Sequence, residues 1–414
     1  MTQAPPSPGF APSTETATSR APLWTRGFAL LCASTVLCYF ANYLVGVVLP
    51  LYVQNLGGDP IIIGLVFTSF SATSFVLRPL IGHLSDTWSV RGTIAIGAGL
   101  LGWLAFPFLV PSLLVAFFAN AIRGIGWGAF SSGSSTAVAL LAPPTRRGEA
   151  SGQYSIAGTA SQAFAPAIGL WLLHLTGNFS LVFIIGGVCG LSALVLLLTQ
   201  LPTIGTSKAS FLGSLKWPKD GINVNSFVEP RVLLASMLLV CLTLTTPVTF
   251  AFVPVHAISI GVENISLYFV AAGVTSIAAR LVLGRLLDRG SRGLWIVGGY
   301  SSLAIAFAVF TQARGLEGFI VAAVFSAFGA SLAQPALMAL AMDRAATGRM
   351  GKAMATYSMF YRVGEGLGAP FAGALIVAFG FTGMYLGAMA IVLTGVVLAF
   401  INWGTVGHPT GRAA

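Results

Sequence analysis

Apolar runs recur along nearly the whole chain, each separated from the next by a short polar break. A bilayer's hydrocarbon core takes about 20 apolar residues per helical crossing. On that measure the pattern predicts twelve helical spans, at 27–53, 61–83, 92–111, 114–141, 151–173, 179–201, 232–257, 265–287, 293–313, 317–341, 353–379 and 381–403. Alternate connections, such as Asn55–Asp59 and Thr176–Asn178, are short and almost uncharged. One break is long: residues 202–231 carry Lys208, Lys216, Lys219 and Asp220, and divide a six-span bundle (23–201) from a second one (232–405). Within that connection Phe211–Trp217 reads equally as an interfacial segment or a plain linker. Residues 1–22, rich in Pro, Ser, Thr and Ala, are expected to be a disordered tail, and 406–414 a second tail. The first apolar run starts late and is too long for a cleaved signal peptide.

The two bundles repeat one another. Arg78-x3-Gly82-x3-Asp86 ends span two, and Arg280-x3-Gly284-x3-Asp288 ends span eight, 202 residues later. Gly148, Tyr154 and Ser155 recur as Gly351, Tyr357 and Ser358, and Pro166 as Pro370. A duplicated unit of six spans explains these offsets. Gly82 and Gly284 are expected where two helices approach closely. Asp86 and Asp288 are placed to meet a helix N-terminus or a nearby arginine. Together with Arg78, Arg91 and Arg280 they read as a conformational latch at one mouth of the protein, or as interfacial anchoring alone.

Composition strengthens the membrane reading. The chain is 56% hydrophobic and 8% charged, with a mean hydropathy of +0.87, outside the range of water-soluble domains. A transmembrane β-barrel would need alternating polarity in segments of roughly ten residues, and no such dyad pattern runs through the sequence. The net charge of +10 does not indicate nucleic acid, because 18 of the 21 Lys and Arg fall on one side of the predicted spans. That bias places both termini in the cytoplasm, in a plasma (inner) membrane. Cys32, Cys38, Cys189 and Cys241 lie inside apolar runs without metal spacing. The four histidines are scattered, and no phosphate-cradling Gly-Lys-Ser/Thr loop occurs. Catalysis, a cofactor and a metal site are therefore not expected.

Polar groups at bilayer depth are costly and usually functional. Span one carries Tyr39, Asn42, Tyr43 and Gly46 on one helical face. Span four carries Asn120, Arg123, Trp127, Ser131 and Ser134, and Arg123 has only Ser326 as its repeat equivalent. Span eleven carries Ser358, Arg362 and Glu365 where span five has Ser155, Thr159 and Gln162. Glu365 is the leading candidate for a proton-binding group; the alternative is a static Arg362–Glu365 pair that fixes packing. Thr243, Thr245, Thr246, Thr249 and Pro247 in span seven, and Ser331, Gln334 and Pro335 in span ten, are further candidates. The hydroxyls equally suit bonds to their own helices, and the prolines suit kinks.

On Gly82, Leu84, Asp86 and Arg91 between spans two and three, and their echo Gly284-Arg285-Leu286-Leu287-Asp288-Arg289, the chain resembles the major facilitator superfamily over roughly 23–405. Thr87, Ser89 and Val90 depart from that family's loop signature. The resemblance implies an all-α fold of twelve transmembrane helices in two pseudo-symmetric bundles. It also implies a central cavity lined by spans one, four, seven and ten. Ser161, Ala165, Pro166 and Gly169 look like a degenerate form of the span-five motif of family exporters, with Leu170 replacing its last glycine. Span one lacks the acidic residue of many proton-driven multidrug exporters. The reading closest to these features is the twelve-span drug and sugar efflux group. It makes the protein a monomeric, proton-coupled exporter of a small organic solute, with a proton-driven uptake symporter as the alternative. A non-transporting receptor or scaffold fits poorly with intramembrane Arg and Glu.

Overall fold

The connections set where each helix begins. Asp59 accepts the Ile62 amide at 2.7 Å, with Pro60 at the first helical turn, so the lone acid of its loop serves as an N-cap. Ser89 does the same for the Gly92 amide at 3.0 Å, and Thr25 for Phe28 at 3.3 Å. This computed structural model describes residues 23–143, 146–200, 229–287, 291–346 and 350–406. The expectations placed on 1–22, on Phe211–Trp217, on Asp288 and on 407–414 fall outside the described residues. The described part of the chain is helical, with no strand.

All twelve spans are present. Span one is Arg26–Asn55, span three Val90–Trp103 with a 3-10 turn at Phe106–Leu109, and span four Leu113–Leu141. Spans five and six are Arg147–Thr176 and Phe179–Gln200. Span eight is Ser266–Leu287, span nine Arg292–Gln312 and span ten Leu316–Arg344. Spans eleven and twelve share Met350–Ile401 and turn at Gly380, whose φ of 69° suits glycine and few other residues. Twelve crossings leave both ends of the described chain on one face, called here the terminus side.

Two spans are broken. Span two consists of Pro60–Val76 and Arg78–Thr87, bent by 44°. Pro79 explains the bend, since its ring has no N–H to give and clashes with the preceding turn. Span seven runs as Leu233–Thr243, a π-helical stretch Val248–Phe252 and Val253–Ser259, with Pro247 at the irregularity. Pro335, by contrast, sits inside the unbroken helix Leu316–Arg344, so the kink expected there is not a break.

The repeat is visible in the packing. Gly97 of span three lies against Gly126 of span four, where a Cβ on Gly97 would come 2.7 Å from the Gly126 carbonyl oxygen. Gly299 of span nine meets Gly329 of span ten in the same way, again at 2.7 Å. Both pairs let two backbones touch, as in other close helix pairs in membranes. Gly97→Val is expected to overpack the first pair and cost about 1–3 kcal/mol, seen as a lower unfolding midpoint in detergent. Gly82→Ala is expected to leave that midpoint unchanged, because a Cβ there meets nothing within 4 Å. The close approach expected at Gly82 is thus not found. It follows the bend at Pro79, beyond the straight part of span two that carries the contact. The tight residue of that span is Gly64, whose Cβ would come 2.6 Å from the Pro370 Cα.

Candidate functional site

The two bundles meet along a seam that runs from the middle of the membrane to the far side. Gly64 packs on Pro370, and Gly373 on Pro60. The Thr68 hydroxyl donates to the Gly366 carbonyl at 2.8 Å. A Cβ on Gly366 would stand 3.4 Å from the Ser71 Cβ. Span one meets span seven through Tyr43 and Phe250, with ring centroids 6.0 Å apart, and through Gly46 on the same phenyl ring. Spans five and eight meet at Ala163 and Gly273. Toward the terminus side, spans four and ten make no extended contact among the described residues. There Ser135, Ser155, Gln162 and Gln334 are exposed. Gln162 lies on the face of span five opposite Phe164 and Trp171, so its exposure is toward the space between the bundles. The seam is closed on the far side and parted on the terminus side.

Span one presents its polar face to this space: Tyr39, Asn42, Tyr43 and Gly46 are all half-buried. Tyr39 packs on Trp127 with centroids 4.7 Å apart, and Tyr43 on the same indole at 6.0 Å, edge to face. These three rings join spans one and four into a single aromatic wall.

Behind that wall lies Arg123, only 1% exposed. Its Nη1 donates to Asn120 Oδ1 at 3.1 Å and its Nη2 to Asn42 Oδ1 at 3.5 Å. Asn120 is fixed in turn by donating from Nδ2 to the Val66 carbonyl at 2.8 Å. The guanidinium stands 5.7 Å from the Phe108 ring centroid. Among the described residues this buried cation is held by amide oxygens and a ring face and by no carboxylate, so its field reaches the space in front of it. Arg123 is enclosed by protein, with Asn42 of span one in contact with its guanidinium. Ser326, its equivalent in the other bundle, bonds its own helix through the Ala323 carbonyl at 3.0 Å.

Span eleven carries the second charged group. Arg362 Nη1 lies 2.6 Å from Glu365 Oε2, with side chains 13% and 27% exposed. The guanidinium stands 5.5 Å from the Tyr361 ring. Tyr39 lies within electrostatic range of Arg362, and Tyr43 of Arg362 and Glu365, which brings spans one and eleven to one locus. Gln334 is the neighbour on span ten, its carbonyl accepting the Tyr357 hydroxyl at 3.4 Å. Thr243, Thr245 and Thr249 bond carbonyls of their own span.

The motif residues divide. Arg91 donates to the Leu197 carbonyl at 3.1 Å and to that of Leu198, capping the end of span six. Arg280 crosses between the bundles and donates to Thr159 Oγ1 at 2.7 Å. Asp86 lies on the short helix Arg78–Thr87 and Gly284 on span eight; their surroundings, like Asp288, are outside the described residues. Sequence reading passed over Phe250, Tyr361 and Phe108. Each is an apolar ring in an apolar run, and only the neighbours it meets give it significance.

Two helical bundles around a seam closed on one side, with polar and charged groups along the parted side, have the frame of a membrane transporter. The chain belongs to the Major Facilitator Superfamily, whose family model matches residues 31–318. It is 24% identical to an uncharacterized MFS-type transporter of Methanocaldococcus jannaschii, over 84% of this chain and 91% of that one. It is 22% identical to the staphylopine export protein of Staphylococcus aureus, over 94% and 97%. Among solved structures it is similar to a D-xylose–proton symporter, with TM-score 0.74 and 16% identity over 94% of this chain and 99% of that one. A POT family transporter in complex with a thioalcohol-conjugated peptide gives TM-score 0.76 and 14% identity over 92% and 96%. These likenesses at low identity establish the fold.

Proposed function

We propose that the protein exports a small organic solute from the cytoplasm in exchange for protons, with the terminus side cytoplasmic. The observation that carries this reading is Glu365. Among the described residues it is the one carboxylate deep in a span, it is partly exposed, and it is held by Arg362. A carboxylate whose solvent access alternates between the two sides can load a proton on one and release it on the other. The parted side offers a solute the aromatic wall of Tyr39, Tyr43 and Trp127, with Asn42, Gln162 and Gln334 as hydrogen-bonding groups and Arg123 as a fixed charge behind. Asn120 orients that charge. Export is supported by the similarity to the staphylopine export protein along nearly the whole chain. The latch role of Arg78, Gly82, Asp86, Arg91, Arg280, Gly284 and Asp288 belongs to the same proposal, with the Arg280–Thr159 bond as a contact between the bundles. Proton-coupled uptake is the second reading. It is favoured by Glu365 and Arg362 forming one pair, since an acidic solute at Arg362 and a proton at Glu365 bind more easily together than apart.

The direction is tested in inside-out membrane vesicles with an imposed proton gradient, using a panel of organic solutes preselected by thermal stabilisation of the purified protein. Export predicts accumulation of the stabilising solute, about tenfold per pH unit for one proton exchanged. Accumulation confined to right-side-out vesicles would replace export with uptake.

A further inference from the structure

Span seven carries a histidine that the solute pathway does not use. His256 lies on Val253–Ser259, the outer piece of that span, just beyond the π-helical stretch Val248–Phe252. Its Nδ1 stands 2.9 Å from the Tyr385 hydroxyl of span twelve. The imidazole stacks on Phe381 of span twelve, with centroids 4.5 Å apart and planes 22° apart. Phe319 of span ten meets it edge-on at 5.6 Å. Tyr385 lies flat in turn against Phe310 of span nine, at 5.0 Å and 14°. Among the described residues Tyr385 is the one titratable group that bonds or stacks with the imidazole. Tyr268 of span eight packs on Phe310 instead. His174, Glu263, Arg314 and Glu317, at the same end of the molecule, are exposed and make no bond to His256.

The hydrogens of this pair can be counted. Tyr385 is fully buried, and its hydroxyl has no other partner among the described residues. A buried O–H needs an acceptor, and neutral His256 supplies one at Nδ1 when its own proton is on Nε2. Imidazolium carries hydrogen on both nitrogens and accepts nothing. When His256 takes up a proton, the tyrosine oxygen accepts from Nδ1 and the phenolic hydrogen is stranded inside the bundle. Leaving such a donor unpaired works against the closed packing.

We propose that the His256–Tyr385 bond is a proton-sensitive clasp. It fixes the outer piece of span seven while His256 is neutral, and releases that piece when the far side turns acidic. Val253–Ser259 touches span one of the other bundle. The π-helical stretch beside it holds Phe250 against Tyr43 and Gly46. Pro247 and the irregular helix give the piece a joint to swing on. Its release withdraws Phe250 from span one and lets the far side part. Imidazole is the side chain suited to such a sensor, because it changes charge within the range of ordinary acidification. The inference rests on the alternating opening of the seam, and on neither the direction of transport nor Glu365.

The opening of the far side can be read without knowing the solute. Thr176→Cys and Gln312→Cys, exposed at the far ends of spans five and nine, carry spin labels in protein whose four native cysteines are alanine. Glu365→Gln is added to the same background, which removes that carboxylate's own titration. Label separations are measured in lipid nanodiscs by pulsed electron double resonance, from about pH 8 to about pH 5. The ratio of long to short separations is expected to rise at least about fivefold as the pH falls. His256→Asn keeps an acceptor near the Nδ1 position and takes up no proton, so the ratio is expected to stay low throughout. Tyr385→Phe removes the hydroxyl, and the ratio is expected to stay high throughout, varying by less than about twofold. An unchanging ratio in the starting protein, or a pH step that survives either substitution, overturns the clasp. Should one variant fail to fold, the other decides alone. Solute flux without proton coupling in the vesicle assay would remove the role of Glu365 and leave the clasp standing.

Discussion

Glu365→Gln is expected to abolish gradient-driven accumulation while sparing solute exchange across the membrane. Glutamine keeps the shape of the side chain and one oxygen for the Arg362 guanidinium, now 2.6 Å from the carboxylate. What it removes is the exchangeable proton. With one proton per cycle, a gradient of one pH unit stores about 1.4 kcal/mol, worth about tenfold in concentration. The variant should lose that factor entirely, and its accumulation should fall to the level of wild type without a gradient. Counterflow of labelled against unlabelled solute needs no proton and should continue. The measurement separates the two sequence readings of this residue. A static pair that only fixes packing would leave accumulation per molecule of folded protein untouched, and would show instead as a lower unfolding midpoint.

A disulfide between Ser71→Cys and Gly366→Cys is expected to stop transport until it is reduced. The two Cβ positions stand 3.4 Å apart across spans two and eleven, close to the separation a disulfide adopts. The bond would pin the bundles at the middle of the seam, where Thr68 and Gly366 already meet. Alternating access requires that seam to part. In a background without the native cysteines, oxidation should reduce flux by at least about tenfold, and a reductant should restore it. Full activity in the oxidised protein, with the cross-link confirmed by mass spectrometry, would mean that these halves do not separate during transport.

Both expectations depend on residues the sequence singled out to very different degrees. Glu365 was legible because a carboxylate inside an apolar run is rare and costly, and its neighbour three residues earlier announced the pair. Gly366 and Ser71 carried no signal. Each is a small residue in a helix full of small residues, and its role depends on which helix lies opposite. Arg123 is intermediate: its depth was evident, but its burial against Asn42 of span one was not. The bend at Pro79 shows the same limit. The proline is plain in the sequence, yet Pro335 in an equally apolar run leaves its helix unbroken.

The sequence by itself determined the number of spans, the division into two bundles and their duplication. The bilayer imposes a fixed length on every crossing, and an offset of 202 residues needs no coordinates to be read. The tertiary structure decided which side of the seam is closed and which glycines bring backbones together. It also joined Arg280 of span eight to Thr159 of span five across the bundles. Those facts join residues up to about 300 positions apart, and such contacts follow from how helices pack, not from the order of residues along any one of them.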